Sequence, residues 1–168
     1  WNLAAQSLWK DGQYTDPGKA KEYWDKAIAA NPKMAESYNN RGLAFYNLER
    51  HQQAINDFSQ AIRINPQYAE AFNNRGFPNT QNGNMKDALN DFSRALQINP
   101  FFVDAYNNKA WVLATCSNRQ IRNGGQAVRL ATKAVELKPD INSMDTLAAA
   151  HAECGDFGRA VAVAKEAY

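Results

Sequence analysis

Few side chains in this sequence are suited to covalent or acid–base chemistry. Its two histidines are His51 and His151, and its two cysteines are Cys116 and Cys154. The pattern predicts His51 in a loop and His151 in place of an aromatic packing residue at the end of a helical face, both structural positions. Neither cysteine has a His and Asn partner of the kind a nucleophilic thiol requires. No glycine-rich phosphate loop, metal-ligand cluster or nucleophile flanked by a base is present. These residues therefore predict no catalytic, cofactor-binding or metal-binding role, and no enzyme activity. The asparagines are more informative. The pairs Asn39-Asn40, Asn73-Asn74 and Asn107-Asn108 recur at a fixed spacing of 34 residues. Each amide carries both donors and an acceptor, which suits the N–H and C=O groups of an extended peptide. In a helix each Asn is worse than Ala by roughly 0.5 kcal/mol, so a compensating use is expected. The other reading is duplication of a solvated polar face.

The elements that position these amides follow from the period. The segment Ala35 to Tyr68, AESYNNRGLAFYNLERHQQAINDFSQAIRINPQY, is followed in register by Ala69 to Phe102, and 15 of the 34 positions are identical. A period of this length belongs to a stacked helical array. Tyr38, Gly42 and Phe45 share one helical face, and Ala54, Phe58 and Ala61 another. Asn65-Pro66 then ends the second helix, because a residue before proline is pushed out of the helical region.

These residues resemble the tetratricopeptide repeat family, whose pattern pairs an aromatic–Leu–Gly–Tyr helix with Ala-x3-Phe and a closing proline. The resemblance covers nearly the whole chain. It implies an all-α fold, a right-handed superhelical solenoid of about five helix-turn-helix repeats: 1–34, 35–68, 69–102, 103–140 and 141–168. Ten helices in five antiparallel pairs and no sheet are expected. The WVLATCSNRQIRNGGQAVRLATKAVEL segment followed by MDTLAAAHAECGDFGRAV is similar to a terminal pair found in bacterial proteins of this family.

In such an array the first helices line the inner curve. Glu36, Asn40, Leu43 and Asn47 form one stripe; Glu70, Asn74, Phe77 and Gln81, then Asp104, Asn108, Trp111 and Thr115, correspond to it. In the resembling family, asparagines at the positions of Asn40, Asn74 and Asn108 can form a ladder along the groove. The implied function is a protein–protein interaction scaffold. Asn40, Asn74 and Asn108 would hold the backbone of a partner peptide, while Leu43, Phe77 and Trp111 would supply apolar contacts. Helices spaced about 8–10 Å apart would meet an extended chain every third residue or so. The family's carboxylate clamp needs Lys and Arg on this surface. Glu36, Glu70 and Asp104 stand there instead, which speaks against a receptor for acidic tails and favours a basic or neutral peptide. Two other readings stay open: a self-assembling module forming a homo-oligomer, and the recruiting or regulatory part of a larger enzyme.

Composition narrows the partners. The chain has 168 residues, 45% of them hydrophobic, enough to bury a core. With 19 basic and 17 acidic residues the net charge is +2, which gives no footprint for nucleic acid. No apolar run reaches the roughly 20 residues of a membrane span. The chain opens on Trp1, already inside the repeat pattern, so extension upstream or loss of a few residues is expected. Two cysteines are too few for a disulfide framework, and they are expected to be free, partly buried thiols near the ends of two first helices.

Several departures from the repeat carry expectations of their own. In the first repeat, Trp1, Ala4, Ala5 and Leu8 carry the first-helix spacing and Ala20, Trp24, Ala27 and Pro32 the second. The GQYTDPGK loop between them is about three residues longer than the HQQ connection of the second repeat allows, with Pro17 opening the second helix, and the fourth repeat also carries a longer loop, CSNRQIRNGG. Pro78 stands where Ala44 sits and predicts a bent or early-ending helix. Pro78→Ala is then expected to raise stability. Ala131 replaces Phe58, letting its helix sit closer to its neighbour. Arg41 and Arg75 recur with Asp57 and Asp91, whereas Lys109 pairs with Leu130; this joint change predicts structural Arg–Asp pairs. The last helix is apolar and lacks a polar capping face, so either the chain continues or that face packs against something.

Overall fold

The computed structural model describes residues 1–10 and 12–167. The chain folds as two compact units, Trp1–Asn84 and Met85–Tyr168. In the first, α1 (Asn2–Gln6) leads into a ribbon of β1 (Trp9–Lys10) and β2 (Gln13–Tyr14), followed by α2 (Pro17–Ala30), α3 (Ala35–Asn47), α4 (His51–Ile64) and α5 (Ala69–Gln81). The second contains α6 (Met85–Ile98), α7 (Val103–Thr115), α8 (Gly124–Leu137), α9 (Ile141–Glu153) and α10 (Phe157–Ala167). The ten helices among the described residues match the expected all-α class.

The expectation of no strand is corrected in the first loop. There β1 and β2 pair antiparallel, with Trp9 opposite Tyr14 and Lys10 opposite Gln13. The physical reason is in the sequence: Asp11-Gly12 is a two-residue hairpin signal between aromatic-flanked segments, and Gly12 has φ +85°. The hairpin also shortens the first helix, which ends at Gln6 and leaves Leu8 outside it. Pro17 opens α2 as expected, with the Asp16 carboxylate accepting from Lys19 N–H at 2.9 Å. The ribbon is anchored by Tyr14, whose hydroxyl accepts from Trp24 Nε1 at 2.9 Å. Burial pushes that hydroxyl up to about 12 despite the Trp24 donor.

Two more expectations are revised. The α5 helix runs unbroken through Pro78 and has the 13 residues of α3 and α7, so it does not end early. A proline forfeits a single backbone bond, here in the last turns of the helix, and its ring is among the fully buried side chains. Pro78→Ala therefore removes buried contacts, and the premise behind a simple gain in stability fails. His51 lies not in a loop but at the first position of α4, its ring 5.6 Å from Tyr46. The turn before it places Glu49 at φ +59°, where the matching turn of the next repeat uses Gly83 at φ +78°. A non-glycine residue is sterically crowded there.

The first unit packs around small residues facing large ones. Gly42 lies against the buried Phe58 ring so closely that a Cβ would sit 2.7 Å from Cε1. Ala35, Ala61 and Ala71 join α3, α4 and α5 in one cluster. In the second unit Leu113, Ala114, Ala127 and Ala150 form the corresponding core. There Ala110 and Ala131, at the positions of Gly42 and Phe58, are both fully buried. Cys116 is buried and Cys154 exposed, both free. They follow α7 and α9 directly, as the repeat placed them, although Cys154 is more open than expected.

Candidate functional site

The predicted Arg–Asp pairing holds at Arg41 and extends further. Its Nε and Nη2 donate to Asp57 at 2.7 and 2.8 Å, while Nη1 donates to Asp25 of the preceding repeat at 2.8 Å. One guanidinium thus ties α3 to both α4 and α2. Burial pushes the Asp57 carboxyl up, and the Arg41 charge offsets this only in part. Burial acts the same way on Asp25, but the Lys21 and Arg41 contacts overcome it and hold that carboxyl below its ordinary value. In the next repeat Ser59 stands where Asp25 does, and its hydroxyl accepts from Arg75 Nη1 at 3.0 Å. With Arg41 committed to this network, α3 keeps no cation for the face opposite α4.

That face carries the amides. Asn39 and Asn73 are buried and Asn40 and Asn74 half-buried, so the asparagine pairs are not a wholly solvated surface. Asn74 Nδ2 donates to Asn39 Oδ1 at 3.0 Å, and Asn39 Nδ2 donates to Asn40 Oδ1 at 3.2 Å. The period of 34 residues thus produces a continuous amide chain from α5 to α3. It explains why residues unfavourable to helices recur: they link neighbouring repeats. Among the described residues part of each outer amide remains uncommitted, namely Nδ2 of Asn40 and Oδ1 of Asn74.

Asn40, Leu43 and Asn74 meet in a cleft of about 380 Å³ in the first unit, beside Trp9, Tyr14 and Tyr68. The ribbon forms one wall; Tyr14 N–H donates to Asn47 Oδ1 at 3.0 Å, fixing the ribbon to the end of the α3 stripe. Glu70 brings a negative charge to the cleft. Burial pushes the Tyr68 hydroxyl up to about 12, and the charges of Glu36 and Glu70 add to the shift.

Not every expected contact residue joins this cleft. The Phe77 ring packs at 6.1 Å from Tyr46 and is absent from the lining. Asn108 and Trp111 lie on α7 in the second unit, Asn108 half-buried and Trp111 about half exposed. The aromatic wall of Trp9 and Tyr14 was missed by the repeat pattern because it comes from the insertion. Asp11-Gly12 between two aromatic-bearing segments was the signal that marked it.

Solved structures share this fold. The tetratricopeptide repeat family profile matches residues 35–68. Comparison with curated proteins gives no match. Among solved structures, MamA (residues 41 to the end) from Desulfovibrio magneticus RS-1 is 18% identical, with 99% of this chain and 90% of that one covered and a TM-score of 0.80. YrrB, described as a tetratricopeptide-repeat protein with an unusual peptide-binding site, is 18% identical over 99% of this chain and 80% of its own, at a TM-score of 0.73. TTC0263, a thermophilic protein of Thermus thermophilus, is 17% identical over 90% of this chain and 81% of its own, at a TM-score of 0.71. Residues 35–68 match a tetratricopeptide repeat, and the chain shares the fold of tetratricopeptide-repeat structures. That fold supports a protein–protein interaction module and is generally a non-catalytic scaffold.

Proposed function

We propose that the protein is an interaction scaffold that holds an extended segment of a partner protein along the first helices of its repeats. The observation that carries this reading is the cleft in which Asn40, Leu43 and Asn74 converge. Its uncommitted amide groups match the N–H and C=O of a peptide backbone, and Leu43 offers an apolar contact beside them. Its volume lies within the range of small-ligand sites, with room for one or two residues of a longer segment. In this reading Phe77 on α5 adds a contact in the first unit, and Asn108 and Trp111 on α7 offer contacts of their own in the second. The peptide-binding site of YrrB supports the reading by analogy of fold only.

Calorimetry with a peptide selected against the parent protein tests it. Each hydrogen bond lost between protein and peptide should weaken binding by roughly 0.5–1.5 kcal/mol. The Asn40→Ala, Asn74→Ala double variant should therefore bind at least several-fold more weakly. It should also lose some stability, because Asn39 is left without both amide partners. If that variant is folded at the assay temperature and binds as tightly as the parent, the amides serve the fold alone and the proposed contact is wrong.

A further inference from the structure

We infer that the cleft beside the β-ribbon selects a cationic side chain, arginine or lysine, in the bound segment. This rests on the peptide-groove reading and specifies what that groove recognises. Four observations converge on it. First, Glu70 is the single charged side chain among the described residues that line the cleft. Second, Glu36 and Glu70 are absent from the ion pairs among the described residues, and Arg41, the cation nearest in sequence on α3, is turned away into Asp57 and Asp25. Third, Tyr68 also lines the cleft, and its hydroxyl is pushed up mainly by burial, with the charges of Glu36 and Glu70 adding to the shift. Fourth, Trp9 supplies a partly exposed indole, set edge-to-face against Tyr14 with centroids 4.8 Å apart.

An aromatic wall beside a carboxylate suits a cation for two reasons. The ring's negative face attracts the charge, and the carboxylate accepts charge-assisted hydrogen bonds. The same chain already uses the first of these: Lys26 Nζ lies 4.4 Å from the Trp1 ring centroid. The uncommitted Oδ1 of Asn74 adds an acceptor for a guanidinium or ammonium N–H. An acidic side chain in this place would meet Glu70 with no compensating cation. The competing account is that Glu36 and Glu70, both in first turns of helices, serve only the helix dipole.

Fluorescence anisotropy with three nonapeptide pools separates these accounts. The pools share Ala, Ser and Gly flanks and differ at the centre: Arg, Met or Glu. The Arg-centred pool should bind at least about tenfold more tightly than the Glu-centred one, a charge-assisted contact being worth that much. Glu70→Gln should remove most of the preference for Arg over Met by weakening Arg-centred binding much more than Met-centred binding, and Trp9→Leu should weaken Arg-centred binding further than Met-centred. Thermal melts establish that both variants are folded. Equal binding of the Arg and Met pools, or an Arg preference that survives Glu70→Gln, overturns the inference and leaves the peptide groove standing. Failure of all three pools to bind overturns both.

Discussion

The α3/α4 pair of the first unit and the α7/α8 pair of the second fill the same repeat slots by different means. In α3/α4 a glycine faces a phenylalanine: Gly42 admits the Phe58 ring, and no side chain larger than hydrogen fits there without movement. In α7/α8 two alanines, Ala110 and Ala131, occupy those positions, both fully buried. The charged slot changes in step. Arg41 with Asp57 and Asp25 becomes Lys109 with Leu130, and Leu130 packs on the core cluster of the second unit. Repeat positions are therefore coupled in pairs. In these two slots the large ring faces an absent Cβ and the buried carboxylate faces a fork-shaped cation, and between the two helix pairs both partners change together.

Breaking the large–small pair should have the largest effect. Phe58→Ala should cost about 3–5 kcal/mol, as emptying an aromatic site in a core usually does. Gly42→Ala alone should cost about 1–3 kcal/mol by overpacking, since its Cβ would lie 2.7 Å from the ring. The double variant copies the alanine pair of α7/α8. Its cost should fall below the sum of the singles by at least roughly 0.5 kcal/mol, the signature of residues in contact. Urea unfolding of the four proteins measures this, and strict additivity would show that Gly42 and Phe58 are not coupled.

Next in size is the charged slot. Asp57→Ala leaves Arg41 with Asp25 alone, on a side chain about four-fifths buried. Breaking a fully buried pair costs about 3–5 kcal/mol; because Asp25 remains and the site is partly open, about 1–3 kcal/mol is expected. Asp57→Leu, which imitates Leu130, should be rescued in part by Arg41→Met, which removes the stranded charge. If the double variant is no more stable than Asp57→Leu, the coupling seen across repeats has another origin.

What is legible in the sequence alone follows the same division. Whatever repeats is readable: the helix pairs, the Arg41–Asp57 contact, and the Gly42 and Phe58 faces all follow from a 34-residue period. The interruptions are harder. Pro78 signals a broken helix, but propensity speaks only of the isolated helix, whereas in the fold α5 runs on through Pro78 with its ring buried. A solvated reading of the asparagines rests on Asn being usually exposed. Their partners are other copies of themselves, a solution that appears only once the repeats are stacked. The ribbon lies outside the period altogether. Its Trp9 and Tyr14 gain meaning only through what they face, namely Asn47, Trp24 and the cleft.

The smallest effect is expected at Lys109, where the difference between the two slots depends on pH. Lys109 sits in the slot of Arg41 with no acidic partner among the described ion pairs, and burial pushes its ammonium below the ordinary value of 10.5. In that case the unfolded chain binds the proton more tightly than the folded one. Stability should therefore rise as the pH climbs through the folded-state value toward 10.5, over and above the contribution of other groups. Lys109→Met keeps the stem and removes the charge, so it should stabilise by a few tenths to about 1 kcal/mol at neutral pH and should flatten the alkaline rise. Arg41→Met must do the reverse at neutral pH, because it strands Asp57. Melting temperatures of the parent and both variants between about pH 7 and 10, the span below the ordinary lysine value, make the test. A Lys109→Met protein that melts below the parent at neutral pH would mean that the ammonium has found a useful partner, and the two slots would then differ in geometry rather than in charge.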